Sequence, residues 1–409
     1  MKYNFDEIIE RAGTYASKLD EMPGHCGEGT LPAWIADMDF RCAEPILDAI
    51  HERTDRGIFG YTMYDNDDCK NATINWFDKR FSWRINYEYI LFSPGIVPGL
   101  SFLINLLTRP GDGIIIQQPV YYPFMKKIKT NGRDVVDNSL IYEKKETDEG
   151  MVLDYFMNYE DLETKMANPL NKGMILCSPH NPVGRVWSRE ELIKTLEICR
   201  KYNKWIISDE IHCDLTRVGK THTPLLKLVD EIMPDFRDNV IVCTAPSKTF
   251  NIAGLSFSNI IIPGEKIKAL WARALNDQFS LGYDANPLSL SAAMAAYKDG
   301  DEWLDQLKKY LDDNIEYVKK FVKEKLPAAT LSDCQGTYLM WIDMSGYCND
   351  FVKLERAIQD IGKLALDEGY IFGDEGRCFE RINIAMPRTL VEECMNRFEK
   401  AAKWLEEAK

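Results

Sequence analysis

The sequence predicts an α/β protein: a large domain with a mainly parallel sheet flanked by helices, and a smaller α+β domain. The first observation is a set of short apolar runs that end in turn or polar residues. Near-continuous apolar runs of this kind are typical of strands in a sheet that is covered on both faces. The second observation is that the C-terminal third carries long charged helical patterns, at 301–326 and 390–407, around a strand-like stretch at 336–342.

The predicted strands of the large domain are, in chain order, 114–116, 174–177, 205–207, 240–243 and 260–262. A helix is predicted at 188–203, between the second and third of these strands. Ser188 and Glu191 form a capping-box pattern at its start, and apolar residues recur along one face. Alternation of strand, helix and strand favours a parallel sheet.

A chain of 409 residues exceeds what one hydrophobic core usually supports, so we expect at least two lobes. No repeat or linker marks their border. We expect 1–45 to form an N-terminal arm and part of the small domain, 46–290 to form the large domain, and 291–409 to form the C-terminal small domain.

Charge and composition disfavour several classes of partner. Lys and Arg number 50 against 64 Asp and Glu, and this excess of negative charge repels nucleic acid and anionic lipid. The acidic N-terminus does not resemble a signal peptide, and no stretch approaches a membrane span, so we expect a cytoplasmic protein. The eleven cysteines include no C-x-x-C pair, so neither a disulfide framework nor a metal site is expected.

Polar residues follow four apolar runs, at 90–92, 174–177, 205–207 and 240–243, where ligands of open parallel sheets bind. Each has an ordinary structural explanation on its own, because Asp commonly caps turns and a loop Lys is usually solvated. The four groups are Ser93-Pro94-Gly95, Ser178-Pro179-His180-Asn181-Pro182, Ser208-Asp209-Glu210 and Ser247-Lys248-Thr249.

Taken together, these groups resemble the fold-type I pyridoxal 5′-phosphate (PLP) enzymes of the class I/II aminotransferase superfamily. The resemblance rests on Asn-Pro-x-Gly at 181–184, Asp209 28 residues after Asn181, and Ser-Lys-Thr-Phe at 247–250, and it covers nearly the whole chain. It implies that the large domain binds PLP. It also implies that Lys248 holds the cofactor as a Schiff base, that Asp209 pairs with the pyridine nitrogen, and that Asn181 binds the 3′-oxygen. The carboxylate keeps the ring nitrogen protonated, so that the ring can accept electrons.

A helix N-terminus is the expected binding site for the cofactor's phosphate. Gly95, Ile96 and Val97 follow a strand, open an apolar helical stretch and match the family's phosphate position, although an ordinary strand–helix turn is the alternative. Ser247 is expected to add a hydroxyl contact. The sequence departs from the family at Ala245 and Ser256, where many relatives have a phosphate-binding Ser and Arg.

Two further residues match positions that contact the cofactor ring and the substrate in this family. Tyr121 matches the aromatic that stacks on the ring, with a core residue as the alternative, and the neighbouring Tyr122 is a second candidate for the position. Arg381 matches the arginine that binds the substrate's α-carboxylate through a bidentate fork, with a surface arginine as the alternative.

Three segments resemble the cystathionine β-lyase (C–S lyase) branch of the superfamily: 34–40, 57–61 and 209–214. Within the last, His212 stands where many aminotransferases have a Tyr that contacts the 3′-oxygen, and a capping or packed histidine is the alternative. Trp34 is expected at the substrate entrance, and either Asp37 or Asp39 is expected there to meet a distal ammonium group, unless these aspartates only cap a turn.

Tyr61 matches a residue that reaches the phosphate of the neighbouring subunit's cofactor, which implies a homodimer with shared active sites. The alternative is a tyrosine packed within its own subunit.

The resemblance predicts an enzyme that acts on a small amino acid. The leading hypothesis is a PLP-dependent C–S β-lyase that releases a thiol, pyruvate and ammonia from cystathionine or other cysteine conjugates. The alternatives are an aminotransferase for neutral or aromatic amino acids and, with weaker support, a regulatory binding protein on the same fold.

Overall fold

The computed structural model describes residues 2–22, 26–147, 150–279 and 285–407. These residues form fifteen strands, numbered in chain order: β1 (Leu31–Pro32), β2 (Ile90–Ser93), β3 (Gly113–Ile116), β4 (Asp134–Asp137), β5 (Ile141–Thr147), β6 (Gly150–Phe156), β7 (Asn171–Cys177), β8 (Trp205–Asp209), β9 (Val240–Thr244), β10 (Ser258–Ile261), β11 (Thr330–Ser332), β12 (Leu339–Asp343), β13 (Leu364–Ala365), β14 (Asp367–Glu368) and β15 (Phe379–Asn383).

The same residues form fourteen α-helices: α1 (Ser17–Asp20), α2 (Glu44–Asp55), α3 (Asp67–Phe81), α4 (Ile96–Leu107), α5 (Pro123–Thr130), α6 (Tyr159–Ala167), α7 (Arg189–Lys201), α8 (Leu225–Ile232), α9 (Pro246–Thr249), α10 (Glu265–Phe279), α11 (Pro287–Asp299), α12 (Asp301–Lys325), α13 (Phe351–Arg356) and α14 (Arg388–Glu407). The long helices predicted at 301–326 and 390–407 are confirmed as α12 and α14.

The large sheet has seven strands in the order β2-β10-β9-β8-β7-β3-β4. Six of its strands, β2, β9, β8, β7, β3 and β4, run in the same direction. The seventh, β10, lies between β2 and β9 and runs antiparallel to both. Alternate residues of β7 belong to two different hydrophobic clusters: Met174 and Leu176 to one, Ile175 and Cys177 to the other. The sheet is therefore covered on both faces, as the apolar runs predicted.

Helix α7 shows why local sequence signals predicted this domain well. The Ser188 hydroxyl accepts from the Glu191 amide at 3.2 Å, and the Glu191 carboxylate accepts from the Ser188 amide at 2.7 Å. The predicted capping box is confirmed, and it satisfies amides that have no partner inside the helix.

The second sheet has six strands in the order β14-β15-β12-β11-β6-β5. Most of its strands come from the C-terminal third, but β5 and β6 come from the middle of the chain, and β6 pairs in parallel with β11. This sheet thus joins strands from both sides of residue 290, and the division into domains at that position remains a prediction. The stretch 336–342 is a strand only from Leu339 onward, because Thr337 lies in the left-handed region with φ 70°.

The N-terminal arm reaches the C-terminal part of the chain through β1. Leu31 pairs with Leu364 and Pro32 with Ala365, in parallel. The Asp39 amide then donates to the Ala385 carbonyl at 2.9 Å. Residues 34–40 are therefore held alongside the C-terminal lobe.

All eleven cysteines are free thiols. No helix in the described ranges is long and apolar enough to cross a membrane. Within those ranges, no group of three or more His, Cys, Asp or Glu side chains is arranged to hold a metal ion.

Candidate active site

The polar residues predicted to carry the chemistry meet at one edge of the large sheet. β7, β8 and β9 are neighbouring parallel strands, so the residues that follow them lie side by side. The Ser178 amide donates to the Asp209 carbonyl at 3.0 Å, and the Glu210 amide donates to the Cys243 carbonyl at 2.8 Å. Asn181, Asp209 and Lys248 are thereby brought to one site.

Lys248 lies on the short helix α9, directly after β9. Its Nζ donates to the Ala36 carbonyl at 2.5 Å. Burial lowers the pKa of Lys248 to about 8, and the positive charge of Arg381 acts in the same direction, while Asp37 and Asp209 act against it. An appreciable fraction of this amine is therefore unprotonated near neutral pH, and an unprotonated amine can act as a nucleophile.

Asp209 is almost completely buried at the end of β8. Burial raises its pKa to about 7, although the Ile211 amide donates to its Oδ1 at 3.2 Å and opposes the shift. A buried carboxyl group with a raised pKa binds a proton or a protonated ring nitrogen favourably. This property fits the pyridine nitrogen of PLP.

Several buried polar atoms around this edge have no hydrogen-bond partner among the described residues. They are Ser178 Oγ, His212 Nδ1 and Arg381 Nε. Burial lowers the pKa of His212 to about 3, so its imidazole is neutral. Buried polar atoms normally have partners. These atoms, together with Asp209, therefore fit a polar group placed between them, as the 3′-oxygen and the substrate carboxylate of a PLP enzyme would be.

The predicted phosphate site lies at the same edge. Ser93 at the end of β2 pairs with Ser258 of β10, and Asn259 of β10 pairs with Thr244 at the end of β9, so α4 and α9 both start here. The Gly95 amide donates to the Ser93 carbonyl at 2.8 Å. Helix α4 starts at the next residue and has no side-chain cap, so the amides of Ile96 and Val97 have no partner within the helix and suit an anion.

Gly95 has φ 113°, in a region that L side chains rarely adopt. Ser247 is on α9, one residue before Lys248. Ala245 precedes α9 and contributes no polar side-chain atom, and Ser256 follows it in the left-handed region with φ 53°.

Tyr121 lies beside Asn181, because the Tyr121 amide donates to the Asn181 carbonyl at 3.0 Å. The neighbouring Tyr122 instead packs its ring against Phe372, at 5.8 Å between centroids. The two tyrosine rings also contact each other, at 5.7 Å between centroids, so it is the backbone bond to Asn181 that distinguishes Tyr121.

Arg381 lies on β15 and is only 2% exposed, so the alternative of a surface arginine is wrong. Its Nη1 donates to Asn181 Oδ1 at 3.1 Å, and its Nη2 donates to the Trp34 carbonyl at 2.8 Å. Nη2 also forms an ion pair with the buried Asp367, which stands directly opposite on β14. Arg381 is thus held in a fixed orientation next to a predicted cofactor ligand.

The remaining predicted residues are half-buried or exposed. The Trp34 indole donates to the Lys18 carbonyl at 2.9 Å, and Asp37 is ion-paired with Arg11 at 2.7 Å. The carboxylate of Asp37 therefore already has a cationic partner. Tyr61 is 90% exposed, so the alternative of packing within its own subunit is wrong.

Three residues of the site were not predicted. Tyr338 is fully buried, and its hydroxyl donates to the Ala36 carbonyl at 2.9 Å, beside Lys248. Asp367 pairs with Arg381. Asp214 accepts from the Trp76 indole at 3.1 Å and from the Thr249 hydroxyl at 3.0 Å, and so anchors α9. Asp214 lies in the segment 209–214 that resembles the C–S lyase branch, and this segment could have identified it from the sequence.

Comparison with known proteins agrees with this geometry. The sequence model of the family described as Aminotransferase class I and II matches residues 35–398. The chain is 40% identical over 399 residues to the cystathionine beta-lyase PatB of Bacillus subtilis (strain 168), covering 97% of this chain and 99% of that protein.

Two solved structures are also closely similar. Cystalysin from Treponema denticola, which contains a pyridoxal 5′-phosphate cofactor, superposes with a TM-score of 0.91 at 35% identity, covering 99% of this chain and 100% of that one. The PLP-bound C-S lyase from Staphylococcus hominis superposes with a TM-score of 0.87 at 34% identity, covering 98% and 99%. The resemblance and the fold predicted from the sequence are confirmed, and the chain belongs to the aminotransferase class I and II family.

Proposed function

We propose that this chain is a PLP-dependent β-lyase that cleaves the carbon–sulfur bond of cystathionine or of other cysteine S-conjugates, and releases a thiol, pyruvate and ammonia. The observation that carries the proposal is the meeting of three groups in one site: the Lys248 amine with a pKa of about 8, the buried carboxyl group of Asp209, and the oriented guanidinium of Arg381. The similarity of the chain to a cystathionine beta-lyase and to a C-S lyase supports the choice of a C–S lyase over an aminotransferase.

The residues proposed to hold the cofactor bind three different parts of it: the ring nitrogen and face, the 3′-oxygen and the phosphate. Asp209 binds the ring nitrogen, Asn181 and His212 bind the 3′-oxygen, and Tyr121 covers the ring. The phosphate is bound by the N-terminus of α4 at Gly95, Ile96 and Val97, by Ser247, and by Tyr61 of a second copy.

The protein side chains divide the chemical work between them. When bound, the cofactor supplies an electron-accepting ring conjugated to the substrate's Cα. Arg381 binds the α-carboxylate through a charge-assisted fork, and this orients the Cα–H bond toward Lys248. The Lys248 amine takes the proton from Cα, and a pKa near neutrality suits a general base at physiological pH. Trp34 lies at the entrance on the side of the substrate's sulfur substituent.

The central experiment is incubation of the purified protein with cystathionine in the absence of any keto acid. We expect pyruvate, ammonia and a thiol to form together, and we expect Lys248→Ala to abolish all three. Formation of products only after a keto acid is added would contradict the lyase and identify an aminotransferase. Cofactor binding without any turnover would instead favour a regulatory protein that interacts with another protein.

We further propose that two copies of the chain share each active site, within the cytoplasm expected from the sequence. Tyr61 lies in a segment after α2 in which Ile58, Phe59 and Met63 are also exposed. Contiguous exposed apolar side chains are typical of an interface. A second copy that covers this segment would bring Tyr61 to its partner's phosphate site.

Subunit mixing tests the shared site. Tyr61→Ala and Lys248→Ala should each be inactive, and a heterodimer of the two should contain one site with both native residues. We expect up to about half of the parent activity per heterodimer. If subunit exchange is verified by mass and no activity returns, Tyr61 and Lys248 act within one chain and the shared site is wrong.

A further inference from the structure

The segment 34–40 connects the two cationic side chains of the active site, and we call it the bridge segment. The Trp34 carbonyl accepts from Arg381 Nη2 at 2.8 Å. Two residues later, the Ala36 carbonyl accepts from Lys248 Nζ at 2.5 Å and from the Tyr338 hydroxyl at 2.9 Å. The backbone of the bridge segment thus sets the distance between the amine of Lys248 and the guanidinium of Arg381.

Two buried or half-buried amides hold the backbone of the bridge segment. Asn383 Nδ2 donates to the Ile35 carbonyl and to the Asp37 carbonyl, both at 2.6 Å. Asn251 accepts from the Met38 amide and donates to the Met38 carbonyl, both at 2.9 Å. Asn383 lies two residues after Arg381, and Asn251 lies three residues after Lys248. The chain segments that carry Arg381 and Lys248 therefore both bind the bridge segment.

The acidic side chains of the bridge segment are held by the N-terminal arm. Arg11 Nη2 contacts Asp37 Oδ2 at 2.7 Å, and Arg11 Nη1 contacts Asp39 Oδ1 at 2.5 Å. Lys18 Nζ contacts Asp39 Oδ2 at 2.6 Å. Lys18 is fully buried, and a buried ammonium group is stable only with a charged partner. The arm and the bridge segment therefore depend on each other.

We propose that Arg11 is a positioning residue of this enzyme, which fixes the bridge segment through Asp37 and Asp39 and thereby aligns Lys248 with Arg381. The inference rests on the proposed function of Lys248 and Arg381 and adds a residue that touches neither substrate nor cofactor. Displacement of a reacting group by a fraction of an ångström to about 1 Å can reduce the rate up to about a hundredfold. A loosened bridge segment therefore reduces turnover while the chain stays folded.

Arg11 has a second, electrostatic effect on Lys248. The side chains that surround the Lys248 amine are Asp37 of the bridge segment, Arg381 of β15, Asp209 of β8, and the neutral groups His212 and Tyr338. The carboxylate of Asp37 favours a proton on the Lys248 nitrogen. This carboxylate is paired with Arg11 at 2.7 Å and, through a longer contact of 3.6 Å, with the buried Lys18, so Arg11 neutralises part of its charge. Loss of Arg11 strengthens the field of Asp37 at Lys248, whereas loss of the Asp37 charge removes it. The two changes therefore act on the Lys248 nitrogen with opposite signs.

The test compares four holoenzymes: the parent, Arg11→Gln, Asp37→Asn and the double variant. The pH at which the absorption spectrum of the bound cofactor changes reports the protonation of the Lys248 nitrogen. We expect this midpoint to rise in Arg11→Gln, to fall in Asp37→Asn, and to lie near the Asp37→Asn value in the double variant, because Arg11 acts through Asp37. Shifts of a few tenths of a pH unit are measurable and typical for a partly solvated charge.

Kinetics supply the second measurement. Arg11→Gln should lower kcat/KM by roughly tenfold to a hundredfold while cofactor content is retained. The matched control is Arg41→Gln, which removes an exposed ion pair with Glu7 on the same arm and should leave both the midpoint and kcat/KM unchanged. Equal effects of the two variants would mean that general loosening of the arm, and not the bridge segment, is responsible.

The outcomes separate this inference from the proposed function. An active parent in which the two single variants shift the midpoint in the same direction, or not at all, overturns the role of Arg11. A parent that binds no cofactor overturns the proposed function. In that case, the rate of acetylation of Lys248 is measured against pH by mass spectrometry in the same variants. If the midpoint of this pH dependence does not rise in Arg11→Gln and fall in Asp37→Asn, the role of Arg11 is wrong as well.

Discussion

Arg381→Ala tests the placement of the substrate most directly. In the parent, the guanidinium is held by Asn181, by the Trp34 carbonyl and by Asp367, while its Nε lies buried without a partner in the described residues. In the proposed function, the substrate's α-carboxylate adds the missing acceptor. Removal of the guanidinium should therefore affect the substrate strongly and leave the contacts of the cofactor with Asp209 and Lys248 in place.

The magnitude follows from the charge and burial of this contact. Hydrogen bonds to charged groups contribute about 1.5–3 kcal/mol each. A bidentate contact formed by a buried guanidinium should thus contribute about 3 kcal/mol, which corresponds to roughly a hundredfold loss in kcat/KM. The variant should keep its yellow colour.

Stability changes as well, because Asp367 is left buried without its cation. Removal of one partner of a buried ion pair typically costs about 3–5 kcal/mol. The double variant Arg381→Ala/Asp367→Asn removes the unpaired carboxylate, so it should regain stability against urea without regaining kcat/KM. Arg377→Ala, which changes an exposed arginine four residues earlier, is the control and should behave like the parent.

The assay that decides the matter uses two substrates. The parent and Arg381→Ala are compared with a cysteine conjugate and with the analogue that lacks the α-carboxylate. The parent should discriminate between them by about a hundredfold, and the variant should discriminate little. If the variant keeps the full discrimination, or if it loses the cofactor while KM is unchanged, Arg381 does not bind the carboxylate.

Lys248→Ala should abolish the covalent attachment of the cofactor, so a borohydride-stable adduct in the mass spectrum of this variant would refute the assignment. Thr249→Val should lower the free energy of unfolding by about 1–3 kcal/mol, because Asp214 loses a hydrogen bond at 3.0 Å, whereas Thr249→Ser should restore it in urea titrations. Burial raises the pKa of Glu368 to about 7, so the folded chain holds a proton there that the unfolded chain releases at an ordinary pKa of about 4.3. Stability should therefore fall as the pH rises between these values. Glu368→Gln should reduce this fall, to which the buried Asp209 also contributes, while Glu163→Gln, at a half-exposed carboxylate, should not reduce it. Parallel stability curves for both variants would contradict this.

The strands of the large domain could be predicted because their signals are local. Apolar runs, the capping box of α7 and the polar residues after β7, β8 and β9 are all contained in short stretches of sequence. The roles of Asp209 and Lys248 could be predicted because short motifs around them, at the end of β8 and after β9, resemble the family. Their hydrogen bonds and pKa shifts depend on neighbouring strands and were visible only in the structure.

The partners of the predicted residues could not be inferred from sequence. Asp367 faces Arg381 only because β14 pairs with β15 in one register, and no local pattern encodes that register. The same holds for β6, whose pairing with β11 joins distant parts of the chain and brings its hairpin partner β5 into the sheet. Arg11 resembles an ordinary solvated charge in the sequence, and its role depends on how β1 places the bridge segment.

The pairing of β1 with β13 also orders events during synthesis. The bridge segment leaves the ribosome more than 300 residues before β13 and the β15 strand that carries Arg381. Domains generally fold as the chain emerges, with the N-terminal parts first. Here β1 and the bridge segment lack their partners on β13 and β15 until those strands have been synthesised, although the contacts of the bridge segment with Asn251 and Lys248 involve residues that are made earlier. Until then the nascent chain carries Lys248 without Arg381. A chain that is released early, or cut before residue 364, can therefore retain much of the large sheet and still have no working site.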